Sequence, residues 1–283
     1  MNKESKLGSR VVHLLLLLFA ITLAYVVFGL IANYQPSADI FFALSFALLF
    51  FVLGQSIYEI GIRNAIVFLA ITTVVGFLFE VLGTSTGLPF GKYYYGNFLG
   101  TMVLNVPIVV PLTWFVIVYL AFSMCFSHFG EKKTLEPWGR VVAFAGVAAF
   151  GAVAWDFMVD PMFSSYGYWI WENNGSVPTL SGVPLSNFVG WFVVALLMIL
   201  SFVFVTRKKK VILRRNVLDS RIAYILLLID GTVANGDLGH YLVIGVGVVA
   251  MLAFLVASHL ASSSDKERIM RQSSVEQYPK EGS

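Results

Sequence analysis

Charge is scarce in this chain of 283 residues. Asp, Glu, Lys and Arg make up 12% of it, against about 25% in ordinary soluble domains. Cysteine is nearly absent: Cys125 alone excludes an internal disulfide and any cage of thiolate ligands. The four histidines, His13, His128, His240 and His259, are scattered and form no ligand-spaced pair. There is no phosphate-binding glycine loop, no dinucleotide fingerprint and no clear Ser-His-Asp set. The net charge of +3 comes from loops and leaves no nucleic-acid footprint. No metal, cofactor or nucleic-acid partner is expected from these residues.

What the chain has instead is apolar length. Hydrophobic residues are 58% of it, and runs of about 18 or more recur, the signature of membrane-spanning helices. The expectation is an all-α, polytopic helical membrane protein, multi-pass in the cell membrane and in contact with its lipid. The runs are 11–32, 40–58, 65–82, 107–127, 141–160, 187–206, 222–233 and 241–261, which gives about eight transmembrane helices. A polar, basic stretch precedes the first run. That run is too long for a signal-peptide core, and no small-residue cleavage site closes it, so it reads as a retained helix. The seventh run is short and contains Asp230. Residues 1–262 form one transmembrane domain, and the polar stretch 263–283 reads as a disordered cytoplasmic tail.

Basic residues set orientation by remaining on the cytoplasmic side. With eight spans and both termini cytoplasmic, every Lys and Arg except Lys92 falls inside, including the clusters Lys132–Lys133 and Arg207–Arg215. Omitting the seventh span would put the basic tail outside. The run 207–221 reads as topology signal and contact with anionic lipid. The outer loops, about 84–106 and 161–186, are rich in Gly, Pro and aromatics and are expected to fold back over the helix ends.

Two passages share one plan. Val106-Pro107 leads to Trp114-Phe115-Val116, and Val183-Pro184 leads to Trp191-Phe192-Val193 at the same spacing. Ahead of each lies a Pro-aromatic loop, and ahead of each loop an acid near the outer end of a helix: Glu80, or Asp156 and Asp160. This is the pattern of a parallel repeat of two helical hairpins.

Ionisable residues in a membrane are costly and default to function. Asp156 and Asp160, at i and i+4, share a helix face, and Pro161 marks the expected end of that helix. A carboxyl in an apolar wall resists ionisation, more so beside a second one, and a protonated carboxyl can serve as a general acid. The structural alternative is a carboxylate that caps a loop or pairs with Lys92. Phe90, Tyr93, Tyr94, Tyr95, Tyr168, Trp169 and Trp171 read singly as an interfacial belt; beside the acids they read as a wall tolerant of a cation. Asn187 and Trp191 face one direction at the start of the sixth span, where Asn187 either caps the helix or holds a water. Glu59 and Arg63 read as an interfacial ion pair. Asp230 has no motif around it.

Glu80, Thr86-Gly87-Leu88-Pro89-Phe90-Gly91-Lys92-Tyr93 and Val106-Pro107 resemble the membrane proteins of carotenoid biosynthesis, hydratase type. So do Asp160-Pro161, Trp169, Trp171, Gly182-Val183-Pro184, Asn187-Phe188 and Gly190-Trp191. The resemblance covers about residues 60–206, the expected catalytic core. It implies a cofactor-independent enzyme that adds water across the terminal 1,2 double bond of an acyclic carotenoid, of bacterioruberin, lycopene or γ-carotene type. Other membrane enzymes of that pathway are then expected partners. Alkene hydration needs a protonated acid, walls that tolerate a tertiary carbocation and one ordered water. Glu80 or Asp156 is the candidate acid. Asp160 or Asn187 is the candidate for placing the water, and Tyr93, Tyr95, Trp169 and Trp171 for lining the cation site. Cyclisation or isomerisation from the same protonation, and a non-catalytic pigment-binding, lipid-binding or transport role, are the alternatives.

Overall fold

In hydrocarbon a backbone must satisfy its own N–H and C=O groups, so apolar runs become helices. A computed structural model describes residues 3–34, 38–126, 137–172, 177–206 and 217–277. Among these residues lie eight α-helices: α1 (Lys3–Ile31), α2 (Ala38–Ile60), α3 (Ile62–Thr86), α4 (Val110–Cys125), α5 (Trp138–Ser165), α6 (Leu185–Thr206), α7 (Val217–Asp237) and α8 (Tyr241–Gln277). The protein is an all-α membrane protein: α1, α2, α3, α5, α6 and the apolar part of α8 are long and apolar enough to cross a membrane. The basic clusters at 132–133 and 207–215, on which the orientation rests, lie outside the described residues.

The shortest of the eight is the centre of the bundle. In α4, 16 residues long, every side chain from Trp114 to Cys125 is buried, as expected of a helix apolar all round. It packs against α2, α3, α5, α6, α7 and α8. Gly76 of α3 permits the approach, since a Cβ there would lie 2.7 Å from the Trp114 ring.

The Gly- and aromatic-rich loops after α3 and α5 are organised through short strands that helix-period reading does not reveal. β1 (Tyr93–Tyr95), β2 (Met102–Val103) and β3 (Val106–Pro107) follow α3; β4 (Trp169–Trp171), β5 (Thr179–Leu180) and β6 (Val183–Pro184) follow α5. β1 pairs antiparallel with β4, matching Tyr93 to Trp171 and Tyr95 to Trp169. The β2–β3 and β5–β6 hairpins turn through Leu104-Asn105 and Ser181-Gly182, all at positive φ, the geometry that favours Asn and Gly. The β1–β4 ladder thus ties the two passages together across the bundle end.

Several expectations need correction. Pro161 does not end its helix; α5 runs through it to Ser165. Neighbouring helices can hold a membrane helix together where Pro removes one backbone bond, and Pro161 and Met162 are both buried. α8 continues to Gln277, past the point where an unstructured tail was expected, and residues 278–283 lie outside the described residues. Glu59 turns inward rather than towards the exposed Arg63: it accepts from Gln55 Nε2 at 2.8 Å and from Tyr119 OH at 2.8 Å.

Candidate active site

Strand alternation explains the first half of the site. Tyr93 and Tyr95 are two apart on β1, so both phenols leave the same side of the strand. Both donate to Glu80 Oε2, Tyr95 at 2.6 Å. Trp114 Nε1 donates to the other oxygen, Oε1, at 2.9 Å. Glu80, only 5% exposed, therefore accepts three hydrogen bonds from two directions. Burial first, and then the Glu80 charge, hold both phenols well above their ordinary pKa of 10.0, so they remain donors at any physiological pH.

Helix periodicity explains the second half. Asp156 and Asp160 share one face of α5, and both are buried. Asn187 bridges them, its Nδ2 donating to Asp156 Oδ2 at 3.0 Å and to Asp160 Oδ2. Asn187 is therefore not a helix cap: its amide turns into the bundle, where two carboxyls need a donor.

The two halves meet on one cavity of about 180 Å³. Glu80, Asp160, Asn187, Phe90 and Trp191 line it, together with Tyr93, Tyr95, Trp169 and Trp171. Asp156 stands behind Asp160, fully buried. Trp114 and Trp191 stack at 3.9 Å and 24°, and Tyr93 packs on Trp171 at 4.8 Å. The indole N–H groups of Trp169 and Trp171 are buried without a hydrogen-bond partner among the described residues. Lys92 reaches none of the acids and pairs with Glu172 at 2.7 Å in a half-exposed bridge. The ion-pair alternative for the buried carboxyls does not hold.

The residues proposed from the sequence are thus at one place, with Asp156 one layer deeper, except Tyr94, which leaves the other side of β1 and is half exposed. Sequence reasoning passed over Trp114, a donor to Glu80, although its spacing from Pro107, shared with Trp191 and Pro184, was the signal available. It also missed the wall contributed by α1, α2 and α7, through Phe19, Phe41, Leu48 and Asp230.

Residues 34–255 match the family model described as "Carotenoid biosynthesis protein". The chain belongs to the carotenoid biosynthesis protein family. The bisanhydrobacterioruberin hydratase of Haloarcula japonica is 29% identical to it over 153 residues, 54% of this chain and 49% of that protein. The match thus spans about half the length of this curated relative. No solved structure matches the chain. The carotenoid biosynthesis match extends beyond residues 60–206 at both ends and takes in α2, α7 and much of α8. All the cavity-lining elements except α1 therefore fall within it.

Proposed function

We propose that this protein hydrates the terminal 1,2 double bond of an acyclic carotenoid end group. The observation that carries the reading is the meeting of Glu80 and Asp160, from separate helices, on one apolar, aromatic-walled cavity. A long polyene can lie among apolar helices while its end reaches these carboxyls near the helix ends. Family membership and the hydratase named among the relatives support the same chemistry.

A trisubstituted alkene takes a proton on its less substituted carbon. The π pair forms the new C–H bond and leaves a tertiary carbocation, which a water oxygen captures. Of the carboxyls at the site, Asp160 is the proton donor, because it lines the cavity while Asp156 stands behind it. Positioned proton transfer of this kind contributes about 10²–10⁴-fold. Glu80, fixed by Tyr93, Tyr95 and Trp114, supplies negative charge for the cation and need not reorganise as that charge develops. The faces of Tyr93, Tyr95, Trp169 and Trp171 add to this stabilisation.

We infer further that the chain crosses the membrane eight times with both termini cytoplasmic, and that the two passages are a parallel repeat. Glu80 precedes Tyr93 by as many residues as Asp156 precedes Trp169. Each passage then carries a two-stranded hairpin ending in Val-Pro, followed by a helix whose Trp stacks on its counterpart.

Expression in a host that accumulates an acyclic carotenoid, with mass analysis of the pigments, tests the function. The expected product gains one water per reacting end. A product of unchanged mass but altered absorption would instead assign cyclisation or isomerisation. Unaltered pigment would favour binding or transport. Within an active preparation, D160N should reduce hydration to background and E80Q should lower it; undiminished turnover in D160N would remove the assignment of Asp160 as the acid.

A further inference from the structure

The water that captures the cation must lose a proton, and the carboxyls described so far are poorly placed to take it. Glu80 has both oxygens engaged by Tyr93, Tyr95 and Trp114. Asp160 has just given up its proton, and its Oδ2 is held by Asn187 Nδ2. One further carboxyl lines the same cavity: Asp230, on α7. Among the described residues it makes no hydrogen bond and no ion pair. An unpaired carboxyl in an apolar membrane wall is expensive and points to use.

The packing of α7 places it there. Gly231 lies directly against Met158 of α5; a Cβ at that position would come within 2.7 Å of the Met158 sulfur. Asn235, one turn further on, donates to the Met158 carbonyl at 3.0 Å and fixes the same contact. This close approach brings α7, and with it Asp230, to the cavity. Leu227, Gly231 and Ala234 form the rest of the α7 stripe on the cavity.

We propose that Asp230 is the catalytic base that orients the attacking water and takes its proton. The inference rests on the hydratase reading above. Asp160 delivers a proton to the alkene carbon, water forms the C–O bond, and the resulting oxonium passes one proton to the Asp230 carboxylate. Asp230 then returns that proton to solvent, and Asp160 regains one, so that the net change is alkene plus water to tertiary alcohol.

The test uses the full-length protein in lipid vesicles, an acyclic carotenoid and D2O, with two readouts. One is hydrated product. The other is deuterium in the recovered substrate, which appears whenever the cation forms and returns to alkene by losing a proton. The expectation for D230N is a fall in hydration of about 10²-fold, the lower end for a general base, with deuterium exchange into the alkene retained. D160N should lose both, and D230E should recover part of the hydration. D230N retaining full hydration, or losing exchange together with hydration, would overturn the assignment of Asp230 and leave the hydratase reading standing. If the wild type yields no hydrated product at all, the hydratase reading fails and Asp230 loses its role with it.

Discussion

The indole of Trp114 stacks on that of Trp191 at 3.9 Å while its Nε1 donates to Glu80 at 2.9 Å. One side chain therefore joins the two passages and orients an acid of one of them. Trp114→Phe keeps most of the stacking surface and removes the donor. Leaving Glu80 Oε1 unpaired costs about 1–3 kcal/mol. The expected result is a lower melting temperature in detergent and at least a tenfold drop in turnover, measured as pigment product per unit of folded protein.

The phenols of Tyr93 and Tyr95 make stability depend on alkaline pH. Their pKa values in the folded protein lie well above the ordinary 10.0, because of burial and the Glu80 charge. In the unfolded chain these phenols lose their protons near pH 10, while in the folded protein they keep them. Stability from these groups is therefore fully present below pH 10 and falls as pH rises beyond it. Thermal unfolding between pH 8 and pH 11 should show that fall. The double substitution Tyr93→Phe and Tyr95→Phe should flatten it, at the cost of a lower melting temperature at pH 8.

Asn187 is a shared donor, so replacing it should affect both aspartates. Asn187→Leu preserves approximate size and removes the amide that bridges Asp156 and Asp160. A loss of about 1–3 kcal/mol is expected for the stranded buried acceptors, together with a loss of turnover of tenfold or more. Asn187→Gln, which can still donate, should recover part of both. Unfolding midpoints and product yields for the two variants, compared side by side, check this.

The Lys92–Glu172 bridge should matter little. Its side chains are 65% and 41% exposed, and exposed pairs contribute about 0–1 kcal/mol. Lys92→Met and Glu172→Gln should each leave turnover within about twofold. A large loss in either would mean that this pair, and not the Trp114–Trp191 stack, holds the loops over the cavity.

Gly190 faces Phe90 closely: a Cβ there would lie 2.7 Å from the Phe90 ring and 3.0 Å from Pro89. Gly190→Val should push Phe90 off the cavity wall, lowering both melting temperature and turnover. Overpacking of this kind costs about 1–3 kcal/mol.

Much of this protein was legible in its residue order. Apolar length sets the helices, because lipid offers the backbone no other partners. The shared Pro-to-Trp spacing marked both passages, and the i, i+4 spacing of Asp156 and Asp160 placed them on one face. Tertiary structure alone decided which acid meets the cavity. Asp160 lines it and Asp156 backs it, because two carboxyls on one helix face differ in depth only through what packs against them. It also decided that Asn187 bridges instead of capping, that α5 continues through Pro161, and that Asp230 reaches the cavity through the contact of Gly231 with Met158. Strands of two or three residues joining distant loops carry too little periodicity to be read locally, so the β1–β4 ladder that closes the site exists only once the helices have brought those loops together.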